Sequence, residues 1–191
     1  MSITQTNVQN KTNLAAYDNS WYNPGAGKIK RTLWYVINVL FFLNPLNPSS
    51  GIKVMWLRLF GAKIGKGVVI KPSVNIKYPW LLVVGEYSWI GERVWIDNLA
   101  KVSIGANCCL SQGAMLLTGN HNYRKPGFDL IAKGITLEEG AWVGAFAIVC
   151  PGVILQSHAI LAVNSVASET LLPYSVYKGN PAVLVRERII D

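Results

Sequence analysis

The sequence predicts an all-β solenoid, a parallel β-helix of hexapeptide repeats with helices ahead of it and a short helix behind it. Three observations predict this. Every sixth residue from Leu137 is aliphatic: Leu137, Val143, Val149, Leu155 and Leu161. Four places further on in each unit stand Ala141, Ala147, Val153, Ala159 and Ser165, all small or β-branched. The same register recurs upstream at Ile64, Ile70 and Ile76, at Val84, Ile90 and Ile96, and at Ile104, Leu110 and Leu116. This spacing is neither that of a helix nor that of a strand. It belongs to a solenoid in which no single unit can bury its own face, so that stacking completes the core. In such a coil the aliphatic residue points inward and the small residue sits where the chain bends.

The elements follow in order. Residues 1–62 are expected to form an N-terminal arm and capping or interfacial helices, 63–172 the repeat solenoid with an inserted loop at 118–134, and 173–191 a tail with a short helix. Residues 1–16, rich in Asn, Thr and Gln, read as poorly ordered unless docked. Tyr17 to Gly27 sets aromatics among turn residues and reads as an extended arm packed on a surface. From Lys28 the pattern is helical, with Leu33, Trp34, Ile37, Leu40 and Phe41 on one face and Lys28, Lys30 and Arg31 leading it. The apolar run Thr32–Leu43 is too short to span a bilayer and stops at Asn44-Pro45. That helix has two readings: a cap over the open strand edges of the first coil, or a segment lying in a membrane interface. A second helix over roughly Gly51–Phe60 ends at Gly61 and feeds Ile64-Gly65. The repeats break at the polar segment starting Thr118-Gly-Asn-His and resume at Ile135. Insertions in repeat arrays collect on one face, often the binding face. After Val166 the repeats fade, and Val183–Ile190 reads as a terminal helix carrying Arg186 and Arg188.

At 191 residues the chain is the size of one domain. Lys and Arg exceed Asp and Glu by 18 − 10 = 8, which favours anionic partners. The cations are dispersed, with no compact basic run or stacking motif, so dedicated nucleic-acid binding is excluded. Cys108, Cys109 and Cys150 have no zinc or redox spacing, and Cys108 falls at a small inward position, which suits a buried thiol and a reducing cytoplasm. The start has no apolar signal core, so a cytoplasmic protein is expected, with the inner face of the membrane as a further station for the basic, apolar helix.

His121 is the residue best placed for chemistry, since it opens the inserted loop just past a coil corner. A neutral imidazole is the natural base for removing a proton from a sugar hydroxyl near neutral pH. His158 stands at a coil corner, where side chains face solvent. With only two histidines, a three-histidine metal site within one chain is impossible, and no metal is expected. Asp97 and Asn98, one coil earlier, and Asn120, beside His121, are candidate contacts to an acceptor hydroxyl, although Asp and Asn also make corners by themselves. Trp89, Trp95 and Trp142 share one hexad position and suit packing against a neighbouring subunit or the terminal arm.

These residues carry a family likeness. The stretches Leu59-Phe-Gly-Ala-Lys-Ile-Gly, Ile76-Lys-Tyr-Pro-Trp, Trp95-Ile-Asp-Asn-Leu, Thr118-Gly-Asn-His, Gly140-Ala-Trp-Val-Gly and Gly179-Asn-Pro-Ala resemble the hexapeptide-repeat acyltransferases of exopolysaccharide (colanic-acid-type) biosynthesis. The resemblance implies a left-handed coil, where the general crossover rule alone predicts a right-handed one. It implies an acetyl-CoA-dependent O-acetyltransferase acting on a sugar hydroxyl, with His121 as base and a homotrimer whose cofactor grooves lie between subunits. It aligns Trp142, Ala145, Val163, Ser168 and Arg186 with the cofactor, and Lys178 and Arg186 as cations for its phosphates. Two positions depart from the pattern: Val163 stands where relatives often have glycine, and Ser168-Glu169 replaces a common Thr-Lys pair. The alternatives are an N-acetyltransferase on an amino sugar or nucleotide sugar, and a non-catalytic scaffold at the membrane.

Overall fold

The computed structural model describes residues 11–191, so the expectation of disorder for residues 1–10 lies outside it. The repeats wind into a triangular prism of three sheets, parallel but for the last strand of the second, with five strands on the first face, seven on the second and five on the third. The first face runs Lys63–Ile64, Leu82–Val84, Val102–Ile104, Ile135–Leu137 and Ile154–Leu155. The second begins Val69–Ile70, Trp89–Ile90, Cys109–Leu110, Trp142–Val143 and Ile160–Leu161. The third runs Asn75–Ile76, Trp95–Asp97, Met115–Leu117, Ile148–Val149 and Val166–Ala167. Each inward aliphatic stacks on its equivalent in the next coil, as Ile70 on Ile90, Ile90 on Leu110 and Leu110 on Val143. All residues of the predicted hexad series are buried, and so are the small bend residues Ala141, Ala147, Val153, Ala159 and Ser165. The edges are tight turns in which residues such as Ser73, Arg93, Phe146 and Asn164 take left-handed backbone.

The lower end of the prism would expose the carbonyls of its first coil, one set on each face. Two helices close it: α1, Lys28–Ile37, continued by a π-helical turn Asn38–Phe42, and α2, Ser50–Leu59 with Ser49 as its N-cap. Their side chains supply a donor to each face. Arg58 Nη2 donates to Ile64 O at 2.8 Å, and Trp34 Nε1 donates to Ile76 O at 2.8 Å. On the second face Ser50 and Lys53 both reach Ile70 O, with Lys53 fully buried and also donating to Asn47 O at 2.7 Å. Trp34 and Phe42 pack into the core with Phe60. Capping is therefore what the inner side of α1 does. The predicted single face is split: Trp34, Ile37 and Phe41 turn inward, whereas Leu33 and Leu40 face out.

The expected terminal helix over Val183–Ile190 is not formed. Ala182–Glu187 is instead a strand, turned back antiparallel on Ser175–Gly179, which itself adds in parallel to Ile160–Leu161. The physical reason is the open edge of the last coil, whose unpaired backbone groups accept a strand from a stretch rich in β-branched residues. Arg188 pins the tail by donating to Gly140 O at 2.9 Å and His158 O at 3.1 Å.

Cys108 occupies its predicted inward site, 1% exposed, and its thiol donates to Glu138 O at 3.0 Å. Burial pushes that thiol up to about 11 from an ordinary value of 9.0. The unfolded chain therefore loses this proton first, and stability fully present below about pH 9 is lost as pH climbs toward 11, by roughly 2–3 kcal/mol. Urea midpoints compared at about pH 8 and about pH 11 should fall more steeply in the native protein than in Cys108→Ala. Equal slopes in the two proteins would contradict this account.

Candidate active site

The inserted segment is a β-hairpin on the edge between the third and first faces. Gly119–His121 pairs antiparallel with Leu130–Ala132. Its base is held by Thr118, fully buried, whose hydroxyl donates to Asp97 O at 2.9 Å and accepts from Ala100 N at 3.0 Å. Its tip is held by the N-terminal arm: Asn13 N–H donates to Pro126 O at 2.8 Å. The arm lies so close that a Cβ on Gly127 would meet Ala16 O at 2.5 Å, which is why the tip carries glycine.

His121 is oriented by this hairpin. Its Nδ1 lies 2.8 Å from Phe128 O. A carbonyl can only accept, so Nδ1 carries the proton and Nε2 presents a free lone pair. The ring stacks on Phe128, with centroids 4.8 Å apart and planes at 14°, and Tyr17 of the arm approaches within 5.9 Å. Phe128 takes left-handed backbone at φ 56°, a conformation that a bulky residue keeps only where its surroundings impose it.

A cavity of about 550 Å³ opens beside His121, walled by Tyr17, Asn19 and Tyr22 from the arm, by Arg31 from α1 and by Lys77 and Tyr78 from the first coil. Tyr22 donates to Leu99 O at 2.8 Å, and burial raises its pKa above the ordinary tyrosine value. Lys77 Nζ meets Asp97 Oδ1 at 2.8 Å. The arm residues carried no motif, and only their aromatic content marked them as a packed segment.

The expected acceptor contacts fare differently. Asn98 is fully buried, accepts from Tyr78 N at 2.9 Å and donates to Tyr78 O at 2.6 Å, so it shapes the cavity wall and cannot touch an acceptor. The burial follows from its place against Tyr78 of the preceding coil, whose backbone it clasps on both sides. Asp97 is paired with Lys77 and lines an adjoining cavity with Arg31 and Tyr78 in place of this one. Asn120 is exposed, and its Oδ1 accepts from His121 N at 2.8 Å. His158 lies at the edge between the first and second faces, stacked on Tyr174 and bonded to Ser157, as its surface reading expects.

The residues aligned with the cofactor lie elsewhere on the prism. Ala145 and Val163 sit one above the other on the edge between the second and third faces, Ala145 half-buried and Val163 exposed. Trp142 projects from the second face and donates to Ser111 Oγ at 2.9 Å, while the exposed cations Lys178 and Arg186 extend that face at its upper end. Ser168 lies on the edge that also carries the hairpin. One chain thus separates His121 from Ala145 and Val163 by the full width of the third face.

Apolar side chains line both faces that flank the Ala145 edge. On the second face Val69, Trp89, Cys109, Trp142 and Ile160 form one outward column, and on the third Trp95, Met115, Ile148 and Val166 form another. Trp89 is 61% exposed.

No family model matches the chain. It is 38% identical over 165 residues to the colanic acid biosynthesis acetyltransferase WcaF of Escherichia coli K12, covering 86% of this chain and 91% of that one. It is 25% identical over 161 residues to the galactoside O-acetyltransferase of the same strain, covering 82% and 76%. A hexapeptide-repeat acetyltransferase of Vibrio cholerae, solved with acetyl coenzyme A, shares the fold with a TM-score of 0.77 at 18% identity, over 88% of this chain and 93% of that one.

Proposed function

Because the chain belongs to the hexapeptide-repeat acetyltransferases, the family of WcaF, we propose that it moves an acetyl group from acetyl-CoA to a sugar hydroxyl with His121 as the base. It is an acetyltransferase by family, with acetyl-CoA as the donor, and this supports catalysis over a scaffold role. The observation that carries the assignment of the base is the Phe128 carbonyl on Nδ1, which leaves the basic lone pair at Nε2. His121 takes the hydroxyl proton at Nε2 as the oxygen attacks the thioester carbonyl carbon. The C–S bond then breaks, and the imidazolium can return its proton to the departing thiolate. No protein nucleophile is needed.

The residues of the Ala145 edge fit a thioester with a long, phosphorylated arm. The N–H groups of Ala145 and Val163 are bonded to nothing else among the described residues, so they are available to the acyl oxygen and the pantetheine amides. Val163 leaves less room there than glycine does. Lys178 and Arg186, without carboxylate partners among the described residues, suit the phosphates, and Trp142 and Ser168 complete the proposed contacts.

The proposed assembly is a homotrimer. It is supported by the two apolar columns flanking the Ala145 edge and by the separation of that edge from His121, which a neighbouring copy can bridge. The acceptor is a glycan or glycan precursor of exopolysaccharide synthesis. Incubation with labelled acetyl-CoA and a panel of glycan precursors tests this reading. Label on the amine of an amino sugar, and on no hydroxyl, would favour N-acetylation and overturn it.

The proposed setting is cytoplasmic, with peripheral contact to the inner face of the membrane. No helix among the described residues is long and apolar enough to cross a membrane. The support is the outward stripe of α1 and the turn that continues it, Ile29, Leu33, Val36 and Leu40, each about half exposed or more. Trp34 and Phe42 are buried and take no part, and of the three leading cations Arg31 lines the His121 cavity, whereas Lys28 and Lys30 are exposed, Lys30 with its ammonium over the Trp80 ring at 5.0 Å. Lys28 and Lys30 remain, together worth about 2 kcal/mol at an anionic surface. Co-sedimentation with anionic vesicles should therefore weaken with salt and be abolished by serine at Leu33 and Leu40. A wild-type protein that stays in the supernatant would refute membrane contact.

A further inference from the structure

Arg31 is the side chain in the His121 cavity whose bonding is least complete. It stands in the first turn of α1, half-buried, and its Nε is shielded from solvent with no hydrogen-bond partner. Among the described residues its guanidinium makes no ion pair. Asp97 lines the neighbouring cavity together with Arg31, but its ion pair is with Lys77, at 2.8 Å. A half-buried arginine without an ion-pair partner is partly desolvated, and an anion in the cavity would offset that cost. Its planar fork of N–H donors matches a carboxylate or a phosphate. Arg31, Lys77 and Tyr78 also form the partition between this cavity and a second one of about 420 Å³, whose walls include Trp34, Tyr35 and Trp95. No carboxylate lines the His121 cavity, and the chain as a whole carries a charge of +8.

We infer that the acceptor sugar carries an anionic group, which Arg31 binds while the hydroxyl to be acetylated lies against His121. Arg31 is then a specificity-determining residue, and the inference rests on the acetyl-transfer reading of the cavity. The anion is one of two kinds sharing this chemistry: the carboxylate of a uronic acid or the phosphate of an activated sugar. Either would complete the guanidinium's bonding and hold the ring in register with Nε2. A neutral sugar would cover the half-buried cation without pairing it, so the cavity discriminates against it.

The test compares 4-nitrophenyl β-glucuronide, the matched β-glucoside and glucose 1-phosphate as acceptors, in the native protein and in Arg31→Gln and Arg31→Lys. Native kcat/KM should favour at least one anionic acceptor over the glucoside. Arg31→Gln should lower kcat/KM for that acceptor roughly 10- to 100-fold and leave the glucoside within about twofold, with partial rescue by Arg31→Lys. Whichever anionic acceptor loses activity in Arg31→Gln identifies the source of the charge. Equal use of charged and neutral acceptors, or an equal loss for both in Arg31→Gln, would overturn the inference. Calorimetric titration of the same compounds separates this from a failure of the acetyl-transfer reading. If no acceptor is acetylated, that reading falls, yet an anion that binds the native protein and not Arg31→Gln still supports the site. Absence of binding by both anions, or binding that Arg31→Gln leaves unchanged, would dismiss it.

Discussion

His121→Ala lowers turnover about 10²- to 10⁴-fold while the Kd for acetyl-CoA stays within about twofold, the span that a positioned general base contributes. The expectation rests on geometry. Nδ1 is engaged by Phe128 O at 2.8 Å, the ring is stacked on Phe128, and the remaining nitrogen is the one available to a hydroxyl. The donor-binding residues proposed around Ala145 lie on another edge of the prism, so removing the imidazole leaves them undisturbed. Steady-state rates with a fixed acceptor, together with a direct acetyl-CoA titration, check both halves. Native turnover in His121→Ala would end the assignment. A loss confined to acetyl-CoA affinity would move His121 from base to donor contact.

Mixing two inactive variants restores activity, and this is the second large effect. His121→Ala lacks the base, and Ala145→Trp fills the edge where the thioester is proposed to lie. If the site is shared between neighbours in a closed ring, each intersubunit site takes its base from one chain and its donor edge from the next. Each mixed trimer of the two variants then contains one site in three with both halves native, roughly a third of native activity, against a background at least about 10²-fold lower for either variant alone. The observation behind this is the width of the third face between the two halves in a single chain. Co-expression followed by tandem-tag purification and assay measures it. Sedimentation that finds a fully active monomer, or mixed trimers that regain nothing, would defeat the shared site.

The same separation explains which parts of the site could be read in advance. His121 was legible because the insertion interrupts a strict period, and a departure from a period is visible without any structure. Its tautomer was not, since it depends on a carbonyl seven residues away brought back by the hairpin. Asn98 looked like an acceptor contact because corner residues usually face solvent. Its burial depends on Tyr78, one coil below, whose backbone it clasps on both sides. Tyr17, Tyr22 and Arg31 were hidden for a related reason: they reach the cavity from an irregular arm and a capping helix, neither of which carries a repeat. The terminal strand was mistaken for a helix because local pattern says nothing about an open sheet edge waiting for a partner.

Periodicity alone determined the solenoid, the identity of nearly every inward residue, the helices before the first coil and the place of the insertion. These are local and repetitive properties, and burial by stacking enforces the same choice at every coil. Tertiary structure decided which side of α1 is core, what caps the first coil, and which residues share a cavity with His121. Each of those depends on contacts between segments far apart in the chain, such as Tyr22 with Leu99 and Trp34 with Ile76, where the free energy comes from satisfying a particular buried donor or acceptor. No spacing in the sequence records such a partner, because it is chosen only when the coils have already closed.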